Sequence, residues 1–138
     1  MRFLLDTNAV ISLLGNKSAA LRERVMACLA GDIVLSSVVA HELYFGAFRS
    51  QKVAHNLETL RLLFKDFEIL DFNSDDARQA GEIRAGLARQ GTPIGSYDVL
   101  IAAQAQVRQL TLITNNLGAF ERVAGLSVQD WTINIAGQ

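Results

Sequence analysis

Three carboxylates stand where an α/β domain gathers polar groups. Asp6 comes directly after the apolar run Phe3-Leu4-Leu5. Glu42 lies about one helical turn into the segment after Ile33-Val34-Leu35. Asp98 falls in the first turn of a segment that opens at Ser96, and Asn115 and Asn116 follow Leu112-Ile113-Thr114. In parallel sheets, ligands bind beyond the carboxyl ends of the strands, so Asp6, Glu42 and Asp98, with the amides of Asn115 and Asn116, are candidates for one metal site. Carboxylate and amide oxygens are hard donors that suit Mg²⁺ or Mn²⁺ better than zinc. Cys28 is the only cysteine, the histidines are His41 and His55, and His41-Glu42 lacks the later His of a zinc-protease helix. A divalent ion among such acids activates water and relieves charge on a phosphate, which is the chemistry of phosphodiester hydrolysis.

Each acid also has a plainer role. Asp6 suits the N-cap of a helix starting at Thr7 or Asn8, Glu42 suits a solvated helix face, and Asp98 complements a helix dipole. Asp98 is the most telling, because Val99-Leu100-Ile101-Ala102-Ala103 follows it. A charge at the mouth of so packed a helix is costly unless something neutralises it.

The elements that must position these residues alternate between short apolar runs and longer helical periods, the pattern of an α/β domain with a mainly parallel sheet. Strands are expected at Phe3–Leu5, Ile33–Leu35, Glu68–Leu70 and Leu112–Thr114, with a last one from Val128 to Ile135. Helices are expected from Thr7 or Asn8 to Leu14, and over Ala19–Ala30, Val38–Ser50, Val53–Lys65, Ser74–Arg89 and Tyr97–Arg108. Ser36 and Ser37 can cap the third helix, and Ser96 is the expected N-cap of the last. Cys28 reads as a small buried hydrophobe inside the second helix. The segment 38–65 carries Leu43, Tyr44, Phe45, Phe48, Leu57, Leu60, Leu63 and Phe64, which cannot all face one way. That excess implies either a thick core contact or a partner, such as a second copy or a regulatory peptide.

With 138 residues, half of them hydrophobic and 20% charged, the chain reads as one domain over 1–138 around one core. A net charge of −1 rules out a global basic field, so any nucleic acid must be held by local clusters. Asp6 interrupts the N-terminal apolar run too early for a secretory signal. No stretch reaches the ~18–20 apolar residues of a membrane span. The expectation is a soluble cytoplasmic protein with no membrane attachment.

Four blocks carry a family resemblance. Leu4-Leu5-Asp6-Thr7-Asn8 resembles the opening motif of PIN domains. Ser36-Ser37-Val38-Val39 with Glu42-Leu43 resembles the second, and Gly95-Ser96-Tyr97-Asp98-Val99-Leu100-Ile101-Ala102-Ala103 the third. Leu112-Ile113-Thr114-Asn115-Asn116 with Phe120-Glu121-Arg122-Val123 resembles the fourth, and Asp130-Trp131 the usual ending. The blocks occur in family order across nearly the whole chain. The chain is similar to VapC-type toxins, and its stretch 83–95 to their enteric branch.

The resemblance implies a three-layer α/β/α sandwich and Mg²⁺- or Mn²⁺-dependent cleavage of RNA. It assigns Asp6, Glu42 and Asp98 as catalytic metal-binding acids, and gives Asn116 a place at the metal site. Thr7 and Thr114 would orient these groups from behind. It further implies a structured RNA substrate such as initiator tRNA, a cognate antitoxin that covers the active site, and a homodimer. RNA would be held by scattered basic residues among which Arg49, Lys52, Arg84 and Arg89 are candidates, although each also reads as an ordinary solvated residue. One departure stands out. Many relatives have Asp or Glu immediately before the Phe of the fourth motif, where this chain has Ala119, which offers no oxygen. A catalytically impaired binding module is therefore an alternative reading. A phosphohydrolase of the haloacid-dehalogenase type is another, but that chemistry needs a second Asp where this chain has Asn8.

Overall fold

The structure, a computed structural model, describes residues 2–133. Five strands form one sheet: β1 (Phe3–Leu5), β2 (Ile33–Ser36), β3 (Glu68–Leu70), β4 (Thr111–Ile113) and β5 (Val128–Gln129). Their order is β3-β2-β1-β4-β5 and every pairing is parallel. Helices α1 (Thr7–Leu14), α2 (Ala19–Ala27), α3 (Ser37–Phe48), α4 (Val53–Asp66), α5 (Ser74–Gln90), α6 (Ser96–Val107) and α7 (Leu117–Phe120) connect them. The fold is the expected α/β sandwich. Parallel strands need crossover helices, and those helices cover both sheet faces. Hence Leu4, Leu5, Val34, Leu35 and Leu112 are all fully buried. Each such side chain contributes ~1.5–3 kcal/mol by leaving water.

The chain starts in the middle of the sheet, builds β2 and β3 to one side, and then crosses to add β4 and β5 on the other. The winding direction therefore reverses between β1 and β4. This is the switch point at whose carboxyl edge an open parallel sheet leaves a crevice.

Helix α5 is fixed at both ends. Asn73 and Asp76 form a reciprocal capping box, and Gly91 closes the helix in the left-handed conformation at φ 70°. Asp76 also reaches across to α6. It is fully buried and takes a 3.0 Å ion pair from Arg108, whose guanidinium also donates to the Asp71 carbonyl. Gln104, equally buried, donates to the Leu70 and Asp71 carbonyls. A polar seam thus locks the helix that carries Asp98 to its neighbour.

Several boundaries differ from expectation. Helix α2 stops at Ala27, with Cys28 as an extended, half-buried C-cap, because the Asp32 carboxylate captures the Leu29 N–H and Gly31 turns the chain at φ 88°. Ser96 is the first residue of α6 and not its cap; Gly95 takes that place without a side-chain bond. Strand β4 runs Thr111–Ile113, one residue earlier than read. The last strand has only two residues, because the Asp130 carboxylate accepts from the Thr132 N–H and hydroxyl and turns the chain. Trp131 is thereby buried edge-on against Phe3. Residues 134 and 135 of that expected strand lie outside the described residues. Helix α7 was not expected. Among the described residues, no helix is long and apolar enough to cross a membrane.

Candidate active site

Asp6 sits at the switch crevice because β1 ends there. Its N–H donates to the Ile113 carbonyl at 3.0 Å, which pins it to the end of β4. Its Oδ1 accepts the Ala9 N–H at 2.8 Å and caps α1, so the capping role is real. The residue is only 3% exposed, and burial is the main reason its carboxyl is pushed up to about 6. Hydrogen bonds from the Thr114 hydroxyl and Ala9 N–H hold it lower than burial alone would, while Asp98 and Glu42 push it further up. The Thr114 hydroxyl accepts the Asn116 N–H at 2.9 Å, which leaves its proton for Asp6.

Glu42 arrives from α3. The Ser36 hydroxyl accepts the Val38 N–H to start that helix, and the Ser37 hydroxyl accepts the Phe72 N–H to tie it beside β3. Glu42 is half-buried, and its Oε1 accepts the Thr7 hydroxyl at 2.7 Å. Thr7 on α1 therefore fixes an acid delivered by α3.

Asp98 is the third residue of α6 and half-buried. Burial, then the charge of Glu42, raises its carboxyl above the ordinary range. Gly95 makes room for it: a Cβ there would lie 3.0 Å from Asp98 Oδ2. The glycine matters here for space and not for backbone conformation, since its φ of −55° suits any residue. Gly95→Ala is expected to leave the melting temperature within a few degrees. It should displace the carboxylate by a few tenths of an ångström and weaken Mn²⁺ binding by about threefold to tenfold, read by calorimetric titration.

Asp6 thus lies close enough to feel the charges of both Asp98 and Glu42, and Asp98 close enough to feel that of Glu42. Among the described residues, none of the three is in an ion pair. Nor is any group of three or more His, Cys, Asp or Glu side chains among the described residues placed to hold a metal ion together. These two facts are compatible. Mg²⁺ keeps several waters and takes only one or two carboxylates directly, so an open set of unneutralised acids fits it. Asn115 and Asn116 are exposed at the rim, where Asn116 precedes α7 without capping it through its side chain. Ala119, in α7, contributes only a methyl group.

The four candidate basic residues are not gathered into one patch. Arg49 ends α3 and stacks on Phe45, and Lys52 precedes α4. Arg84 lines a cavity of about 590 Å³ between α5 and α6 together with Ser96. Arg89 lies at the far end of α5 near Arg122. Sequence reasoning missed the space at Gly95 and the pairing of the His41 and Tyr97 rings beside the acids.

The PIN-domain family profile matches residues 3–126. The chain belongs to the PIN-domain family. It is 42% identical to the tRNA(fMet)-specific endonuclease VapC of Shigella flexneri, over 96% of this chain and 99% of that one. The PIN fold superposes with a TM-score of 0.89 on a crystal structure of DNA-bound VapBC from Salmonella typhimurium, 40% identical over 95% of this chain and 98% of that one. A member of the VapBC family of toxin–antitoxin systems from Mycobacterium tuberculosis, VapBC-5, gives 0.70 at 26% identity, over 96% and 98% of the two chains. PIN membership displaces the haloacid-dehalogenase alternative, and Asn8 is an exposed residue of α1.

Proposed function

We propose that this PIN domain is a Mg²⁺- or Mn²⁺-dependent endoribonuclease toxin that cleaves a structured RNA such as initiator tRNA. One observation carries the reading: three carboxylates gathered at the switch crevice, with Asp98 and Glu42 acting on buried Asp6 and Glu42 on Asp98, and with none of the three in an ion pair among the described residues. The likeness to a tRNA(fMet)-specific endonuclease supports the substrate. Such a substrate puts the protein in the cytoplasm.

Asp6 and Asp98 would hold the principal ion, which when bound neutralises phosphate charge and acidifies water. Glu42, held by the Thr7 hydroxyl, would complete the site or orient the attacking water. Thr114 keeps the Asp6 carboxylate aimed into the crevice. The Asn116 amide, exposed at the rim, orients a water. Of the basic residues, Arg84 is the best placed for RNA, since it shares a cavity with Ser96, two residues before Asp98. Arg49, Lys52 and Arg89 would act as outer phosphate contacts.

Ala119 gives a specific second reading, an impaired module that binds without cutting. Incubating initiator tRNA with the chain and Mg²⁺ tests both. We expect cleavage that chelation abolishes, and at least a few-fold faster cleavage by Ala119→Glu, whose added oxygen joins the acidic set. Cleavage by Ala119→Glu alone would favour the impaired reading, and cleavage by neither would overturn the nuclease.

The partners follow from two apolar surfaces. A groove of about 500 Å³ between α1, α3 and α4 is lined by Ile11, Leu14, Leu43, Ala47 and Leu60, with Glu42 at its edge. A cognate antitoxin segment seated there would cover the acids, in line with the VapBC relatives. Phe45 and Phe48, 58% and 63% exposed on α3, provide a separate face for a second copy of the chain. The double substitution Phe45→Ser, Phe48→Ser is expected to convert a homodimer into monomer in sedimentation experiments, without loss of helicity.

A further inference from the structure

Next to the acids lies an exposed aromatic pair. His41 on α3 and Tyr97 on α6 meet with ring centroids 5.4 Å apart and planes at 55°. Both are exposed, Tyr97 by 47%, and neither belongs to the core. Each immediately precedes a site acid, His41 before Glu42 and Tyr97 before Asp98. Successive side chains of a helix point about 100° apart, so each ring stands one position round its helix from a site acid, and the ring pair bridges the two helices that carry Glu42 and Asp98. Phe45 and Phe48 are purely apolar and lie further along α3, as suits a protein contact. His41 and Tyr97 instead have apolar faces and polar edges, which stay hydrated when free and can bond a base edge when occupied.

We propose that the His41–Tyr97 pair is a stacking platform for an unpaired RNA base flanking the scissile phosphate, and that it contributes to the choice of substrate. The proposal rests on the RNA-cleaving reading of the adjoining acids. Unpaired bases of loops splay outward and stack on Tyr and His side chains, and every base has a π-face for such a platform. A phosphate held at the acids through a divalent ion would leave the neighbouring base free to turn onto the rings.

The test uses an RNA stem–loop with 2-aminopurine at successive loop positions, and Ca²⁺ in place of Mg²⁺ to measure binding separately from cleavage. Quenching of 2-aminopurine fluorescence is expected at one loop position. Tyr97→Leu and His41→Ala should each weaken binding by about 5- to 150-fold, the loss expected for one stacked base. With Mg²⁺ they should raise KM and leave the saturated cleavage rate within a few-fold, and Tyr97→Phe should retain both quenching and KM. If the chain cleaves RNA but Tyr97→Leu keeps the original KM and quenching, the platform falls alone. The same holds if Tyr97→Leu alters only self-association or capture of a protein partner. If the chain cleaves no RNA, yet quenching appears and is lost in Tyr97→Leu, the nuclease reading falls and takes with it the placing of the platform beside a scissile phosphate, although the rings still bind a base. Absence of quenching at every loop position would overturn it.

Discussion

Asp6→Asn is expected to lose RNA cleavage on the order of 10³-fold and yet to melt higher than the parent chain in metal-free buffer at neutral pH. The two effects share one cause. Asp6 is nearly fully buried, its carboxyl stands at about 6 against an ordinary 3.8, and Asp98 and Glu42 repel its charge. Because the folded value lies above the unfolded one, the folded chain binds the extra proton between pH 4 and 6. This group's stabilising contribution is therefore complete below about pH 4 and lost as pH rises through about 6. At neutral pH the ionised carboxylate costs about 2–3 kcal/mol, or roughly 10 °C for a chain of this size. Asn keeps the cap on α1, since its side-chain oxygen can still accept the Ala9 N–H, and so removes the charge without removing the helix start. Melts in chelator across pH 4–8 check the sign: the gap between variant and parent should open with rising pH and then level off. Added Mn²⁺ should stabilise the parent by mass action and leave the variant unmoved.

Arg108→Met is expected to cost about 3–5 kcal/mol of stability, because it leaves the Asp76 carboxylate buried without its ionic partner. Asp76 is fully buried, and the 3.0 Å ion pair from Arg108 is its salt bridge. The melting temperature should fall by about 10–20 °C. Asp76→Asn combined with Arg108→Met should recover much of that loss, because the amide is neutral and still accepts the Asn73 N–H within the capping box. Thermal melts of the two single variants and the double variant measure the coupling. Because the seam holds α6 against α5, the same variants report how firmly the helix carrying Asp98 is anchored.

The central strands are legible because they are short, apolar and buried: Phe3–Leu5 has its expected bounds, and Ile33–Leu35 differs by the final Ser36 alone. The edge strand Glu68–Leu70 also has its expected bounds, although Glu68 is exposed and Ile69 and Leu70 only half-buried. The end of the chain is not legible, because Val128 to Ile135 has strand-like composition and only the Asp130 carboxylate, folding onto Thr132, stops the ladder. Composition likewise favours Ser96 as a cap, whereas the Asp98 carboxylate needs the space that only Gly95 leaves. Asp6, Glu42 and Asp98 are legible as candidates because Asp6 follows a strand, Asp98 stands in the first turn of a helix and Glu42 about one turn into another, and the topology brings those helix starts to one edge. The His41–Tyr97 pair and the Asp76–Arg108 seam were not readable, since both depend on which faces of two separate helices meet. Apolar spacing along 38–65 implies more apolar surface than one core face takes, and Tyr44, Phe45, Phe48 and Leu62 are the large apolar residues left exposed there.

Anomalous diffraction from a crystal of the chain soaked in Mn²⁺ tests the metal site most directly. The expected result is a peak about 2.0–2.3 Å from a carboxylate oxygen of both Asp6 and Asp98, lost in Asp6→Asn. A fully occupied Mn²⁺ bound elsewhere, with the space between those two carboxylates holding only water, would contradict it.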